Sequence, residues 1–369
     1  MGLVLGAGLS MVFAVMGDGR MRAGQVLMAG YFAMSLLLVL RGVDAVATWV
    51  TIRLLRRGTE GREGLGAWGQ MVRGTAVVCV CLPWVMAAVM IYRPKVSPAF
   101  DPLQQAGWAF QSVEFGAMDG LLVSGWWIPG AVGTGKVTGR TVVVAHGLGS
   151  NKGNQLLLAR RLVPAGFNVL AIDLRAHGDS GGQLATLGIR ERFDVLGAVR
   201  WLKREQANGA GRVYALGASL GGAAVLAAAT EGTPEGDAIE AVVVYGTYAN
   251  LGDLMNETAR DRFPGPMGWL LKWIGFPLAE LHSGERLRHF DIAGRMTRLW
   301  PRPVMIVHGT KDEFISIAHG RKLFRDASLP KHAIWVPEGT HNSIVGDEGA
   351  AAAVEAFLRG ARSEPVVQR

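Results

Sequence analysis

The chain has 369 residues, half of them hydrophobic, and a formal charge of +8, a balance more apolar than an ordinary soluble domain shows. Residues 1–95 carry ten Lys/Arg against four Asp/Glu, so six of the eight net charges sit there and the remainder is nearly neutral. The basic residues therefore read as a membrane topology signal, and no concentrated basic face is left to bind nucleic acid. 

Residues 1–16, 23–40 and 75–92 are apolar and free of charge. The second and third have the length that a ~30 Å hydrocarbon core requires, and are expected to be transmembrane helices. Residues 1–16 are shorter and lack a basic leader or a clear cleavage site, which argues against a signal peptide and leaves either a span or a buried or interfacial helix. Arg53, Arg56, Arg57, Arg62 and Arg73 dominate the loop between the two long runs. By the positive-inside rule that loop is cytoplasmic and the rest of the chain lies on the extracytoplasmic side of the cell membrane, although Arg93 and Lys95 act against this orientation. Cys79 and Cys81 share one apolar run in a geometry unsuited to a disulfide, so cysteine usage leaves the compartment open.

Residues 1–92 are thus read as a membrane region with two or three helices and a lipid bilayer as partner. Residues 93–110, with Pro94, Pro98 and Pro102, read as a linker. From residue 111 to 362, apolar β-branched runs alternate with helical patterns, the layout of an α/β domain with a mostly parallel sheet. Strands are expected over 113–115 and 121–128, as a hairpin around Asp119-Gly120, then over 141–145, 168–172, 213–216, 241–245, 304–307 and 334–336. Helices are expected over 189–205, 220–230, 317–327 and 349–360. Residues 247–300, rich in Trp, Pro and Phe, break the alternation and read as a cap inserted over the sheet; residues 363–369 form a tail.

Gly217-Ala-Ser219-Leu-Gly221 lies between an apolar strand and an Ala-rich helix. In that setting G-x-S-x-G forms a strained turn that exposes the serine, with Gly217 and Gly221 leaving room for it. A serine hydroxyl needs a base, and His341 follows the last strand while Asp312 follows the one before, with Glu313 as the nearest competitor. The run Val144-Ala-His146-Gly147-Leu148-Gly149 follows the 141–145 strand and is placed to stabilise an oxyanion. Its donor is expected to be the Leu148 amide, together with the amide of Leu220 after the serine, while His146 and Gly147 support the loop.

These runs, with Asp173-Leu-Arg-Ala-His177-Gly178-Asp-Ser180, His308–Asp312 and Gly339-Thr-His341, resemble the α/β-hydrolase superfamily over about residues 113–358. The similarity is nearest to serine aminopeptidase-like and abhydrolase-domain proteins, many of which carry N-terminal membrane segments. The resemblance implies an α/β-hydrolase fold and a Ser219, Asp312, His341 triad. Two departures are visible: Ala176 stands where such proteins often have glycine, and Tyr245-Gly-Thr-Tyr replaces the more usual Ser-Pro turn. His177 reads as a hydrogen-bonded support beside the site.

Gly130–Lys136 resembles the start of a Walker A loop, but Val137 replaces the Ser/Thr and a strand follows, so it reads as a surface turn. Neither a metal nor another cofactor is expected, since no helical His pair or Cys set is available in the domain. The expected activity is serine hydrolysis of a small acyl-containing substrate, an ester first because Trp269, Trp273 and Phe276 enrich the cap. The alternatives are a peptidase of aminopeptidase type, with Glu257, Asp261 or Glu280 holding the substrate ammonium, and a non-catalytic membrane scaffold on the same fold. Oligomeric state leaves no trace in the sequence.

Overall fold

The computed structural model describes residues 95–130, 139–205, 211–263 and 265–361, with isolated positions between 41 and 92. The expected spans 1–16, 23–40 and most of 75–92, the Walker-like run beyond Gly130 and the tail 363–369 lie outside the described residues. Among the described residues, no helix is long and apolar enough to cross a membrane. The chain divides into two compact units, Met1–Met90 with Ala259–Ala279, and Ile91–Thr258 with Glu280–Arg369.

The second unit is built on eight strands: β1 (Gln111–Gly116), β2 (Leu122–Ile128), β3 (Arg140–Ala145), β4 (Asn168–Ile172), β5 (Arg212–Ala218), β6 (Ile239–Tyr245), β7 (Val304–Gly309) and β8 (Lys331–Val336). Their spatial order is β1-β2-β4-β3-β5-β6-β7-β8. β1 pairs antiparallel with β2 and β2 with β4, and every later pairing is parallel. The hairpin turns at Gly120 (φ 85°), a conformation open to glycine at no steric cost. From β3 the chain moves outward to β4 and returns to β5 on the other side of β3. That reversal opens a crevice at the carboxyl ends of β3 and β5, where ligands of such sheets bind.

The central strands are apolar on both faces because helices cover both. Val142, Val144, Val169, Leu216, Val243 and Val307 share one cluster with Leu156, Val354 and Leu358. Pleating turns the alternate residues to the opposite face, toward the helix Leu220–Ala229, all ten of whose residues are buried. A helix apolar all round has to be enclosed on every side, and its small side chains let it lie close to the sheet.

The run read as a linker, together with Ile91 just before it, is hydrogen-bonded to the domain. Ala185 N–H donates to Ile91 O (2.8 Å), Lys95 Nζ to Ser180 O (2.5 Å), Asn151 Nδ2 to Val96 O (3.0 Å) and Ser97 Oγ to Asp179 (2.7 Å). Pro102, expected within that linker, opens the short helix Pro102–Ala106, which Asp101 and Gln104 cap reciprocally. Proline-rich sequence here marks a strap docked on the sheet's loops, because proline limits backbone freedom without preventing side-chain bonds from its neighbours.

In the expected cap, residues 251–261, 266–270 and 276–283 are α-helical, and Leu271–Gly275 forms a π-turn. Trp269 and Trp273 are exposed and Phe276 is buried. Ala259–Ala279 groups with the other unit.

Candidate active site

Ser219 follows β5 and caps the helix Leu220–Ala229 with φ 53° and ψ −115°. That conformation costs a non-glycine residue about 1–3 kcal/mol unless its surroundings enforce it. They do: Ser219 N–H donates to Tyr245 O (2.8 Å) and Thr247 Oγ1 donates to Ser219 O (3.3 Å). A side chain at Gly221 would strike the carbonyls of Ala145 and His146, and one at Gly217 would strike the Gly221 backbone. The glycines therefore let the helix N-terminus press onto the end of β3. Leu220, its first residue, has an N–H with no intrahelical acceptor.

The loop after β3 approaches the serine from the other side, since a Cβ added to Gly147 would lie 3.4 Å from Ser219 Cβ. His146 is fully buried beneath it. Its Nε2 accepts from Leu174 N–H (3.0 Å), so its Nδ1 carries the proton and donates to Gly147 O (2.7 Å). Burial, with the nearby His177 adding to it, lowers the His146 pKa to about 3. Gly149 N–H donates to His177 Nε2 (3.0 Å) and Ser150 N–H to Gly147 O (3.2 Å). The Leu148 N–H has no acceptor among the described residues. Below the loop, buried Lys152 is paired with Asp173 (2.7 Å) and Asp179 (2.6 Å).

Asp312 and His341 follow β7 and β8. Asp312 Oδ1 accepts from the amides of Phe314 (2.9 Å) and Ile315 (2.8 Å), and His341 Nδ1 donates to Oδ2 (2.7 Å). Burial alone would raise the carboxyl's pKa; the His341 bond and charge and the two amides outweigh it and hold Asp312 below the usual carboxylate range. With Nδ1 engaged, Nε2 is the ring nitrogen left to act as a base. Glu313 accepts from the backbone N–H of His341 (3.3 Å), so Asp312 takes the ring and Glu313 the main chain.

Several contributors carry no motif of their own. Gly246 (φ 51°) lies under the pair: an added Cβ would sit 3.2 Å from both Asp312 Oδ2 and His341 Nδ1. The Tyr245-Gly-Thr247 turn, noted in the sequence as a departure, thus touches Ser219 on one side and Asp312–His341 on the other. His308, fully buried, donates from Nε2 to Ile315 O (2.8 Å) and lies 3.5 Å from Asp312 Oδ2. The Phe314 ring stands 5.4 Å from that of His341. Ser219 and His341 share this wall but make no hydrogen bond with each other among the described residues; in substrate-free sites such bonds are often long. No group of three or more His, Cys, Asp or Glu side chains among the described residues could hold a metal.

A family model for the alpha/beta hydrolase fold matches residues 140–296. The chain is 30% identical over 240 residues to the Escherichia coli O157:H7 protein YfhR, covering 65% of this chain and 76% of that one. The chain belongs to the alpha/beta hydrolase fold family. Human ABHD12B is 24% identical over 238 residues, covering 59% of this chain and 60% of that relative. Among solved structures, an esterase of Pyrococcus furiosus superposes with a TM-score of 0.59 at 23% identity, over 73% of this chain and 97% of the esterase. Membership of this family supports a hydrolase, and the esterase likeness is one of architecture.

Proposed function

We propose that the chain is a membrane-anchored serine hydrolase that cleaves carboxylic esters of apolar acyl groups through Ser219, His341 and Asp312. The observation that carries this reading is the 2.7 Å Asp312–His341 bond set across one turn from a serine held at φ 53°. His341 Nε2 takes the Ser219 proton as Oγ attacks the acyl carbon. The Leu148 and Leu220 amides donate to the oxyanion, and the alcohol leaves with a proton from His341. Water, activated by the same ring, then hydrolyses the acyl-enzyme, while Asp312 fixes the imidazole tautomer and stabilises the imidazolium.

An ester is favoured over a peptide amino terminus because the acidic groups suited to an ammonium are already engaged. Glu257 bonds His319 (3.1 Å), Glu280 pairs with Arg288 (2.5 Å) and Asp261 with Arg260 (2.6 Å). Thioesters and other activated acyl groups fit the same chemistry. The charge-free runs 23–40 and 75–92 supply the anchor, and the Arg-rich loop between them favours an extracytoplasmic catalytic domain in the cell membrane.

The test is fluorophosphonate labelling of the detergent-solubilised protein, followed by hydrolysis of p-nitrophenyl esters of increasing chain length. Ser219→Ala is expected to lose labelling and turnover together. Labelling or turnover that survives in this variant rejects the assignment.

A further inference from the structure

We infer that His177, a residue outside the proposed triad, is a positioning residue that sets the oxyanion loop; the inference rests on the serine hydrolase reading above. Of the three amides that follow Gly147 in the loop, two are spent within the protein: Ser150 N–H on Gly147 O and Gly149 N–H on His177 Nε2. Together these bonds close a turn around Leu148 and leave its N–H as the donor without an acceptor among the described residues. The Gly149 bond matters most because it fixes the Leu148–Gly149 peptide, the middle of the turn that Ser150 N–H closes on Gly147 O. Gly149 has φ 73°, and a Cβ built on it would meet nothing within 4 Å, so no packing at that position backs up the histidine bond, and the central peptide of the turn can rotate without breaking the Ser150–Gly147 bond.

His177 is itself over-determined. Its Nδ1 donates to Arg175 O (2.8 Å), which fixes the tautomer and leaves Nε2 as an acceptor. The ring is almost fully buried and meets the His146 ring edge-on at 4.9 Å. Arg175 is anchored in turn: its backbone N–H donates to Asp194 (2.8 Å) and its guanidinium pairs with Asp194 (2.7 Å) and Asp119 (2.8 Å). A rigid path therefore runs from the helix Glu191–Glu205, which carries Asp194, through Arg175 and His177 to the loop. Oxyanion donors act through placement fixed before the reaction begins, so a displaced loop weakens transition-state binding and leaves substrate binding intact.

Two variants separate this role from packing. In His177→Asn the amide takes the place of Nδ1 and loses the acceptor for Gly149; in His177→Gln the side-chain oxygen reaches the position of Nε2 and keeps it. Both are made in the full chain and counted by fluorophosphonate titration, so only folded enzyme is compared. The Asn variant is expected to lose roughly tenfold or more in kcat, with KM within about twofold. Its affinity for a trifluoromethyl ketone, whose adduct with Ser219 carries an oxyanion, should fall by the same factor, while the Gln variant stays near wild type. Equal behaviour of the two variants, or a kcat loss with ketone affinity unchanged, overturns the inference. Absence of Ser219 labelling in the wild type removes the hydrolase reading itself, so the two failures are distinguishable.

Discussion

The two sides of the candidate site are built on different physics. The nucleophile side, β3 and β5 with their loops, rests on buried side chains and depends on backbone approach: Gly221 against the Ala145 and His146 carbonyls, His146 buried, Lys152 paired below with Asp173 and Asp179. The base side, on the loops after β7 and β8, is looser, with Phe314 and Glu338 exposed and His341 partly so. It is held by a few directed bonds to Asp312. One side therefore fails when its shape is altered and the other when a single polar atom is altered.

The largest effect is expected on the base side. Asp312→Asn keeps the volume and leaves an acceptor for the Phe314 and Ile315 amides, but presents an N–H₂ or a neutral oxygen to His341 Nδ1. Loss of the tautomer and of imidazolium stabilisation should lower kcat roughly ten-thousand-fold, with thermal stability nearly unchanged. Glu313→Gln should change kcat by less than about threefold, because Glu313 serves the backbone of His341. A comparable loss in both variants would show that the loop, and not the Asp312–His341 bond, is what matters.

On the nucleophile side the corresponding change is steric. Gly221→Ala drives a methyl into the end of β3 and should destabilise the protein by about 3 kcal/mol or more in denaturant unfolding, since the obstacle is backbone that cannot swing aside. Gly346→Ala, in the segment that follows His341 after β8, is its control: an added Cβ there meets nothing within 4 Å, and the cost should stay below about 0.5 kcal/mol. Similar costs at the two positions would erase the distinction between the sides.

Much of this arrangement was legible because the informative residues are local. The apolar runs at 141–145 and 168–172 lie within or on the bounds of β3 and β4, and the G-x-S-x-G run bridges β5 and its helix. Strand ends were harder. β5 continues through Gly217 and Ala218, glycine and alanine being poor strand signals, and β8 begins at Lys331, whose charge on an edge strand looks like a loop from sequence alone. Asp312 and His341 were paired from their places after successive strands. The roles of Gly246, Thr247 and the strap residues Lys95 and Ser97 were not legible, since each acts on a partner distant in the chain that only the sheet order brings close. Ala176 is an intermediate case. Noted as standing in place of a glycine, it has φ 63°, which is the conformation that makes glycine usual there.

The smallest effect is a pH dependence of stability to which the buried His146 contributes. His146 has a pKa of about 3 in the folded protein and about 6.5 in an unfolded chain. Its folded value is depressed, so its contribution is complete above pH 6.5 and is lost as pH falls from there toward 3, where the unfolded chain holds a proton that the folded one refuses. The slope is about 1.4 kcal/mol per pH unit inside that window, with stability rising as pH rises. Burial lowers the pKa of His308 as well, which adds a dependence of the same sign, so the wild type alone does not isolate His146. The informative quantity is the difference in unfolding free energy between the wild type and His146→Gln at pH 7, 6 and 5. It should shrink steadily toward acid, because the variant lacks the loop's support at every pH and is free of the proton penalty that grows in the wild type. A difference constant across that range would mean that His146 accepts a proton without leaving its place, and that the buried side is less rigid than its bonds to Leu174 and Gly147 imply.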